Sequence, residues 1–345
     1  MATGRGLMSA RSDLIVVGGG PAGAAAGIWA RQLGMRVILF ERRPFPRHRP
    51  GETLHPGVES IFRQLGVAKE VEAASELRPS GQMMAWGGLT NFTAYGSDRH
   101  GDWRALQVMR AELDAILLTR FEALGGTVVQ PAPLVHPIVE GNCVLGVTAG
   151  DLAVRAPFTV DASGAVGWLR RFLCIPVDRC SPPLVAHHGY ALGSIDSTPR
   201  LEGDSNGWVW TAQVRPRLVH WTRLAFYKAT SKPRPPAALA SLQTLGRLLA
   251  TDVTWRRTRG LAGRGYFLAG EAAVVTDPAA SHGVLRALMS GMMAAHAVVD
   301  VLSGRIHPET AAANYIAWLG NWFDQDRTSM SELYARLGWT GLARS

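Results

Sequence analysis

The stretch "DLIVVGGGPAGAAAGIWARQLGMRVILFE" (13–41) decides the fold. "DLIVV" is a short apolar run of the kind buried on both faces in a parallel sheet. "AGAAAGIWARQLG" reads as a helix of small residues, and "RVILFE" as a second strand. Gly18, Gly20 and Gly23 satisfy G-x-G-x-x-G between strand and helix, and Glu41 ends the second strand about twenty residues on. Each part has a physical reason. Gly18 permits the tight turn, Gly20 lets the backbone approach a pyrophosphate, and Gly23 lets helix and strand pack closely. The helix N-terminus offers its unpaired N–H groups to phosphate, and Glu41 is placed to accept from a ribose hydroxyl. A dinucleotide is implied; the fingerprint alone leaves NAD and FAD both open.

The bulk numbers bound the rest. The chain has 345 residues, 47% of them hydrophobic and 18% charged, an ordinary balance with room for two or three substructures. No run of 18 or more uncharged apolar residues occurs, so no membrane span is expected. "MATGRGLMSARS" lacks the apolar centre of a signal peptide. Cys143, Cys174 and Cys180 are odd in number and lack metal spacing, so no metal is expected and a reduced, cytoplasmic protein is the expectation. The net charge of +9 is almost wholly arginine, since Lys69, Lys228 and Lys232 are the only lysines. No basic stripe interleaved with aromatics is present, which argues against nucleic acid.

Further along, helices are expected around 56–75 and over "MRAELDAILLTRFEALG" (109–125), with β-forming residues between them in "GQMMAWGGLTNFTAYG" (81–96). Short strands are expected over 143–161, ending in "FTVDASG", and sheet again over 186–226, where "GWVWTAQV" and "HWTRLAFY" alternate. "SKPRPPAA" (231–238) reads as a connector, followed by a helix. A second strand–loop–helix then stands in "YFLAGEAAVVTDPAASHGVLRALMSG" (266–291), and a helical tail runs to 345. The expected class is α/β: a discontinuous Rossmann-like nucleotide domain (1–80, 97–185 and 255–305), an inserted β-rich substrate domain (81–96 and 186–254), and a C-terminal helical segment (306–345).

"GETLHPG" (51–57), Arg110 and Asp114 one turn apart on a helix, Asp161 to Gly164 at a strand end, and Gly270 with Asp277–Pro278 come in an order that resembles the FAD-dependent monooxygenase and halogenase superfamily, which also contains geranylgeranyl reductases. The resemblance covers roughly residues 13–300, with four separate segments matching in sequence order. It implies FAD, with the N-terminal fingerprint holding adenosine and pyrophosphate and the late unit holding the ribityl chain and flavin. The expected cofactor contacts are Gly18, Gly20, Pro21, Ala22, Gly23, Glu41, Arg42, Arg110, Asp161, Gly164, Gly270, Glu271, Gly283 and Val284. Members of the family usually carry Asp where this chain has Glu271.

The resemblance leaves three reactions to weigh. Halogenases use a lysine that "SELRPSGQMMAW" (75–86) does not supply, and a glutamate where Ala280 stands; only half of their W-x-W-x-I-P signature is present, at Trp208 and Trp210. Alkene reductases of the geranylgeranyl type share aromatic motifs with "GWVWTA". Hydroxylation through a flavin hydroperoxide needs the fewest special residues, chiefly exclusion of water and a positioned aromatic carbon. A non-catalytic FAD-bound maturation factor is the alternative from outside enzymology. "GETLHPG", "GWVWTA" and "ASHGVLRALMSG" also resemble flavoproteins that mature tryptophylquinone cofactors, which implies a tryptophan within a partner polypeptide as substrate. His55, His282 and Pro278 are the expected catalytic positions, and Trp86, Trp208 and Trp210 the expected walls of an aromatic pocket. No second G-x-G-x-x-G sits in a strand–helix setting, so NAD(P)H visiting transiently, or a separate flavin reductase, is the expected electron source.

Overall fold

The computed structural model describes residues 8–132, 134–204, 206–225 and 234–339. The first turn of the chain is the expected unit: β1 (Leu14–Val17), α1 (Pro21–Gln32) and β2 (Val37–Phe40). After α2 (Val58–Leu65) come β3 (Gly81–Trp86) and β4 (Leu89–Ala94), then α3 (Arg110–Ala123), β5 (Thr127–Val129) and β6 (Phe158–Asp161). β7 (Val185–Leu192), β8 (Arg200–Asp204), β9 (Gly207–Arg215), β10 (Leu218–Ala225) and β11 (Gln243–Asp252) follow. The chain closes with β12 (Ala262–Gly263), β13 (Tyr266–Leu268), α4 (Gly283–Leu302) and α5 (Pro308–Ala335).

Two large sheets organise these elements. One has six strands in the order β5-β2-β1-β6-β13-β12, parallel throughout except for the β13–β12 pair. All four residues of β1 and of β6 are buried, as parallel strands covered on both faces must be. Its late strand, β13, pairs with β6 beside β1, so the two strand–loop–helix units lie side by side although more than two hundred residues separate them. The other sheet has seven strands in the order β11-β7-β10-β9-β8-β3-β4, antiparallel except between β8 and β3. The parallel sheet is thus assembled from chain on both sides of the segments that build the antiparallel one. A four-stranded sheet (8–11, 136–140, 143–149 and 152–155) covers one flank.

α1 and α4 lie in direct contact. A Cβ on Gly291 would stand 2.0 Å from Ala22 O, and one on Gly270 would stand 3.1 Å from Ala22 Cβ. The small residues of both helices are what allow this approach. α4 is long and apolar enough to cross a membrane by length and composition. Here its Leu288, Ala294, Ala295 and Val298 are buried in the main core with α1 and the parallel sheet, so it reads as a core helix.

One element differs from expectation. The helix expected after the 231–238 connector is a strand, β11, paired with β7 from Val185↔Asp252 to Leu192↔Gln243. Leu242, Leu245 and Leu249 recur at helical spacing, but the free edge of β7 offers a full row of backbone partners, and that pairing wins. The leucines are left partly outside, with Leu245, Leu248 and Leu249 all about two-fifths exposed. Residues 231–233 of the connector and 340–345 of the expected tail lie outside the described residues.

Candidate functional site

At the end of β1 the chain turns at Gly18, with φ +107°, and enters α1 with no side-chain cap and no acidic residue in its first turn. The first N–H groups of α1 therefore point outward without helical partners. Two fingerprint glycines are required by the protein itself. A Cβ at Gly18 would stand 2.3 Å from Ala162 O, and one at Gly23 would stand 1.8 Å from Gly18 O. Gly20 differs: its φ of −72° suits any residue, and a Cβ there would meet only Arg47 Nη2, at 3.4 Å. The chain has no internal use for a glycine at Gly20, whereas a ligand lying against the turn has one.

Charge around the turn points the same way. Glu41 is buried and accepts from Gly19 N at 2.7 Å and from Arg43 N at 3.0 Å. Arg47 Nη2 lies 3.6 Å from both Glu41 Oε2 and Asp114 Oδ2. Arg49 has no ion pair among the described residues, and burial together with the charges of Arg47, Arg43, Arg42 and Arg110 pulls its pKa down. Crowded arginines beside an uncapped helix N-terminus suit a diphosphate. Arg42 itself is exposed.

Arg110 forks onto Asp114, with Nε at 3.0 Å and Nη2 at 3.2 Å, and donates Nη1 to Pro50 O at 3.1 Å. Burial works against its charge, yet Asp114, Glu52 and Glu271 hold it above the ordinary value. Asp161 spends both oxygens on its own loop, accepting from Ser163 N at 2.9 Å and Leu169 N at 2.8 Å, which fixes the backbone up to Gly164. Gly270 N donates to Ser290 Oγ at 2.9 Å, and the Glu271 carboxylate lies beside Gly164. The structure therefore brings Arg110, Gly164, Gly270 and Glu271 towards one strip running from α1 to α4. α4 also starts without a side-chain cap, and a Cβ at Gly283 would meet nothing within 4 Å. Residues of both units thus fit one long anionic ligand that reaches from the first helix N-terminus to the second.

The loop before α4 is held from below. Asp277 accepts from Ala279 N at 2.9 Å, from Tyr334 Oη at 2.7 Å and from Trp255 Nε1 at 3.2 Å, and burial pushes its pKa up. Pro278 opens the short turn that follows, and His282 stands at the N-cap of α4. His55 faces His282 across 5.8 Å between ring centres, with Tyr95 edge-on to His55 at 6.1 Å. His55 Nδ1 accepts from Gly57 N at 3.0 Å, which leaves the proton on Nε2. Burial, then the neighbouring His282, lowers the His55 pKa; burial, then Arg286, lowers that of His282. Both rings are therefore held towards the neutral form.

Two of the three expected pocket tryptophans are packed into the fold. Trp208 is 2% exposed and donates Nε1 to Tyr334 Oη at 2.7 Å; Trp86 is 6% exposed and donates Nε1 to Leu333 O at 2.8 Å. A buried indole N–H needs a partner, and α5 supplies both. Trp210, on the same face of β9, is partly buried and packs beside Tyr190, Ala212 and Val214.

Sequence reasoning missed a buried polar cluster under "GETLHPG". Tyr190 Oη donates to Glu52 Oε1, Gly51 N donates to Glu52 Oε2 at 2.9 Å, and His220 Nδ1 lies 3.4 Å from Glu52 Oε2. The His188 ring stands 6.0 Å from that of His220, and His48 meets Tyr190 edge-on at 5.3 Å. His188 Nδ1, His220 Nε2 and Gln107 Nε2 are buried and find no partner among the described residues. Burial, then His220, lowers the His188 pKa to about 4. Adjacent strands β7 and β10 carry the three rings on one face, and only the register Tyr190↔His220 reveals this.

A family model described as an FAD binding domain matches residues 11–219, more than half of the chain. The chain belongs to the FAD-binding domain family. Within it, the protein is a member of the FAD-dependent monooxygenase and halogenase-like superfamily. It is 27% identical over 342 residues to tryptophan 2-halogenase of Chondromyces crocatus, covering 88% of this chain and 64% of that protein. It is 25% identical over 348 residues to menaquinone reductase of Mycobacterium tuberculosis, covering 88% of this chain and 80% of the relative. The structure of the myxobacterial chondrochloren halogenase shares the fold, with a TM-score of 0.84 at 24% identity over 94% of this chain and 82% of that one. This FAD-binding chain therefore spans less than two thirds of the tryptophan halogenase's length.

Proposed function

We propose that this protein is an FAD-dependent oxygenase that hydroxylates an aromatic ring, with a tryptophan side chain of a partner polypeptide as the candidate substrate. The observation that carries the reading is the pair of near-neutral histidines, His55 and His282, facing each other at the uncapped start of α4. Bound FAD, once reduced, supplies activation of dioxygen. One oxygen atom enters an aromatic C–H bond and the other leaves as water, with two electrons drawn from NAD(P)H, directly or through a separate flavin reductase. His55 offers an N–H donor from Nε2, and His282 a second ring for acid–base work. Gly18, Gly20 and Gly23 with Arg47, Arg49 and Arg110 bind and orient the dinucleotide. The apolar, half-buried Ala279 and Ala280 keep the approach narrow and shed water.

Halogenation is the second reading, favoured by the names of the relatives. Against it stand Ala280 and the lysine-free 75–86 stretch, where the halogenases that this chain resembles carry catalytic side chains. One experiment separates the readings. Protein loaded with FAD is supplied with NADH, a flavin reductase, isotopically heavy dioxygen, bromide and a tryptophan-bearing peptide, and the peptide is weighed. Gain of one heavy oxygen supports hydroxylation. Gain of bromine supports the second reading, gain of two hydrogens a reductase, and an unchanged peptide with bound FAD counts against the proposal.

A further inference from the structure

α5 runs back across the loop that precedes α4, and a cavity of about 490 Å³ opens between them. Ala280, His282 and Leu285 line it on one side; Trp322, Asp326 and Met330 line it on the other. Its wall thus mixes the apolar Ala280, Leu285, Trp322 and Met330 with polar groups, Ser329 of α5 among them. An aromatic ring with one polar edge suits such a lining.

Asp326 is the group that sequence reasoning had no cause to notice. Its Oδ1 lies 3.3 Å from His282 Nδ1, and its carboxylate is ion-paired with Arg286 one turn into α4. The Asp326 side chain is 12% exposed and that of Arg286 is 4% exposed, so neither swings freely. Arg286 is fixed in turn, donating Nη1 to Thr276 Oγ1 at 2.6 Å. A carboxylate can only accept, so the contact selects the His282 tautomer with its proton on Nδ1. The lone pair then sits on Nε2. Because Arg286 already balances the Asp326 charge, the carboxylate orients His282 without forcing it to ionise.

We infer that the cavity between α5 and the 278–285 segment is the site of the aromatic substrate, and that Asp326 is the positioning residue that turns the Nε2 lone pair of His282 towards a ring N–H or O–H bound there. This rests on the reading of the protein as an aromatic oxygenase. His55 stands 5.8 Å from the His282 ring but does not line this cavity, so it is His282 that meets the substrate's polar edge here. His282 takes the substrate proton as the ring becomes electron-rich, and returns it when the product is released, so no further reagent is needed.

The test uses FAD-loaded, full-length protein and two readouts that do not require turnover. Ring nitrogen NMR of His282 reports the tautomer. The proton is expected on Nδ1 in the wild type, and on Nε2, or shared between both nitrogens, in Asp326→Asn. Since that change leaves Arg286 buried without its partner, Asp326→Glu is measured beside it: it keeps the ion pair but moves the oxygen relative to His282. N-acetyltryptophanamide, titrated while the flavin absorbance is followed, reports the cavity. Ser329→Trp, whose side chain starts on the exposed side of α5 and extends into the lining, should weaken that binding at least tenfold and leave FAD affinity unchanged. An unmoved tautomer in both Asp326 variants, or amide binding that is absent in the wild type or indifferent to Ser329→Trp, overturns the inference. If both readouts respond as expected while the peptide gains no oxygen, the site stands and the oxygenase reading fails.

Discussion

Gly20 and Gly23 sit three residues apart in one turn, and the structure predicts opposite failures for them. A Cβ at Gly23 falls 1.8 Å from Gly18 O, deep inside contact distance with backbone that cannot move without moving β1. Overpacking of this kind costs about 1–3 kcal/mol, and a backbone clash belongs at or above the top of that range. A Cβ at Gly20 meets only the end of the Arg47 side chain, at 3.4 Å, so the protein tolerates it. What Gly20→Val removes is the approach of the pyrophosphate. If two charge-assisted N–H bonds are lost at about 1.5–3 kcal/mol each, FAD binding falls by about 3–6 kcal/mol. That is roughly a 150- to 25,000-fold rise in Kd. The assay pairs thermal melting of the apoprotein with titration of FAD fluorescence. Gly20→Val should melt with the wild type and bind FAD poorly, while Gly23→Ala should melt early. Gly20→Val binding FAD within tenfold of the wild type would refute the reasoning.

Three further outcomes follow from the site. Arg49→Ala removes one of several crowded positive charges, so the apoprotein should melt slightly higher while FAD binding weakens and loses part of its salt dependence; a lower apo melt would contradict the crowding. The folded-state pKa of His188 is below its unfolded value near 6.5, so stability is fully present above that value. It is lost as pH falls towards about 4, by up to roughly 3 kcal/mol. Denaturant titrations between those pH values should show the loss in the wild type and less of it in His188→Asn. Tyr334→Phe strips a donor from Asp277 and an acceptor from Trp208 in the core, at a cost of about 1–3 kcal/mol, and should lower the melting temperature by several degrees; an unchanged melt would show that the loop before α4 is held by other groups.

Local chemistry made the nucleotide-binding half legible. A turn of glycines between a strand and a helix has few structural meanings, and the later strand–loop–helix repeats its logic. β11 was misread because leucine spacing is ambiguous over ten residues, and the deciding partner, β7, lies fifty residues away. The Glu52, Tyr190, His220 and His188 cluster is a product of strand register, which no local pattern encodes. Asp326 meets His282 only because α5 folds back over α4, forty-four residues later in the chain. Trp208 shows a related limit: an indole on an alternating strand looks the same whether it faces a ligand or, as here, Tyr334 of α5, whereas Trp86, which donates to Leu333 O, also lines a cavity of about 440 Å³.

The contact between α1 and α4 sets a length. Ala22, at the start of α1, is wedged against Gly291, in the third turn of α4, where a Cβ would stand 2.0 Å from Ala22 O. Sliding one helix along the other would drive backbone into backbone, so the offset between their two N-termini is locked as firmly as the spacing within either helix. The pair acts as a rigid gauge of fixed length. Any movement elsewhere in the molecule must therefore leave this one backbone contact intact.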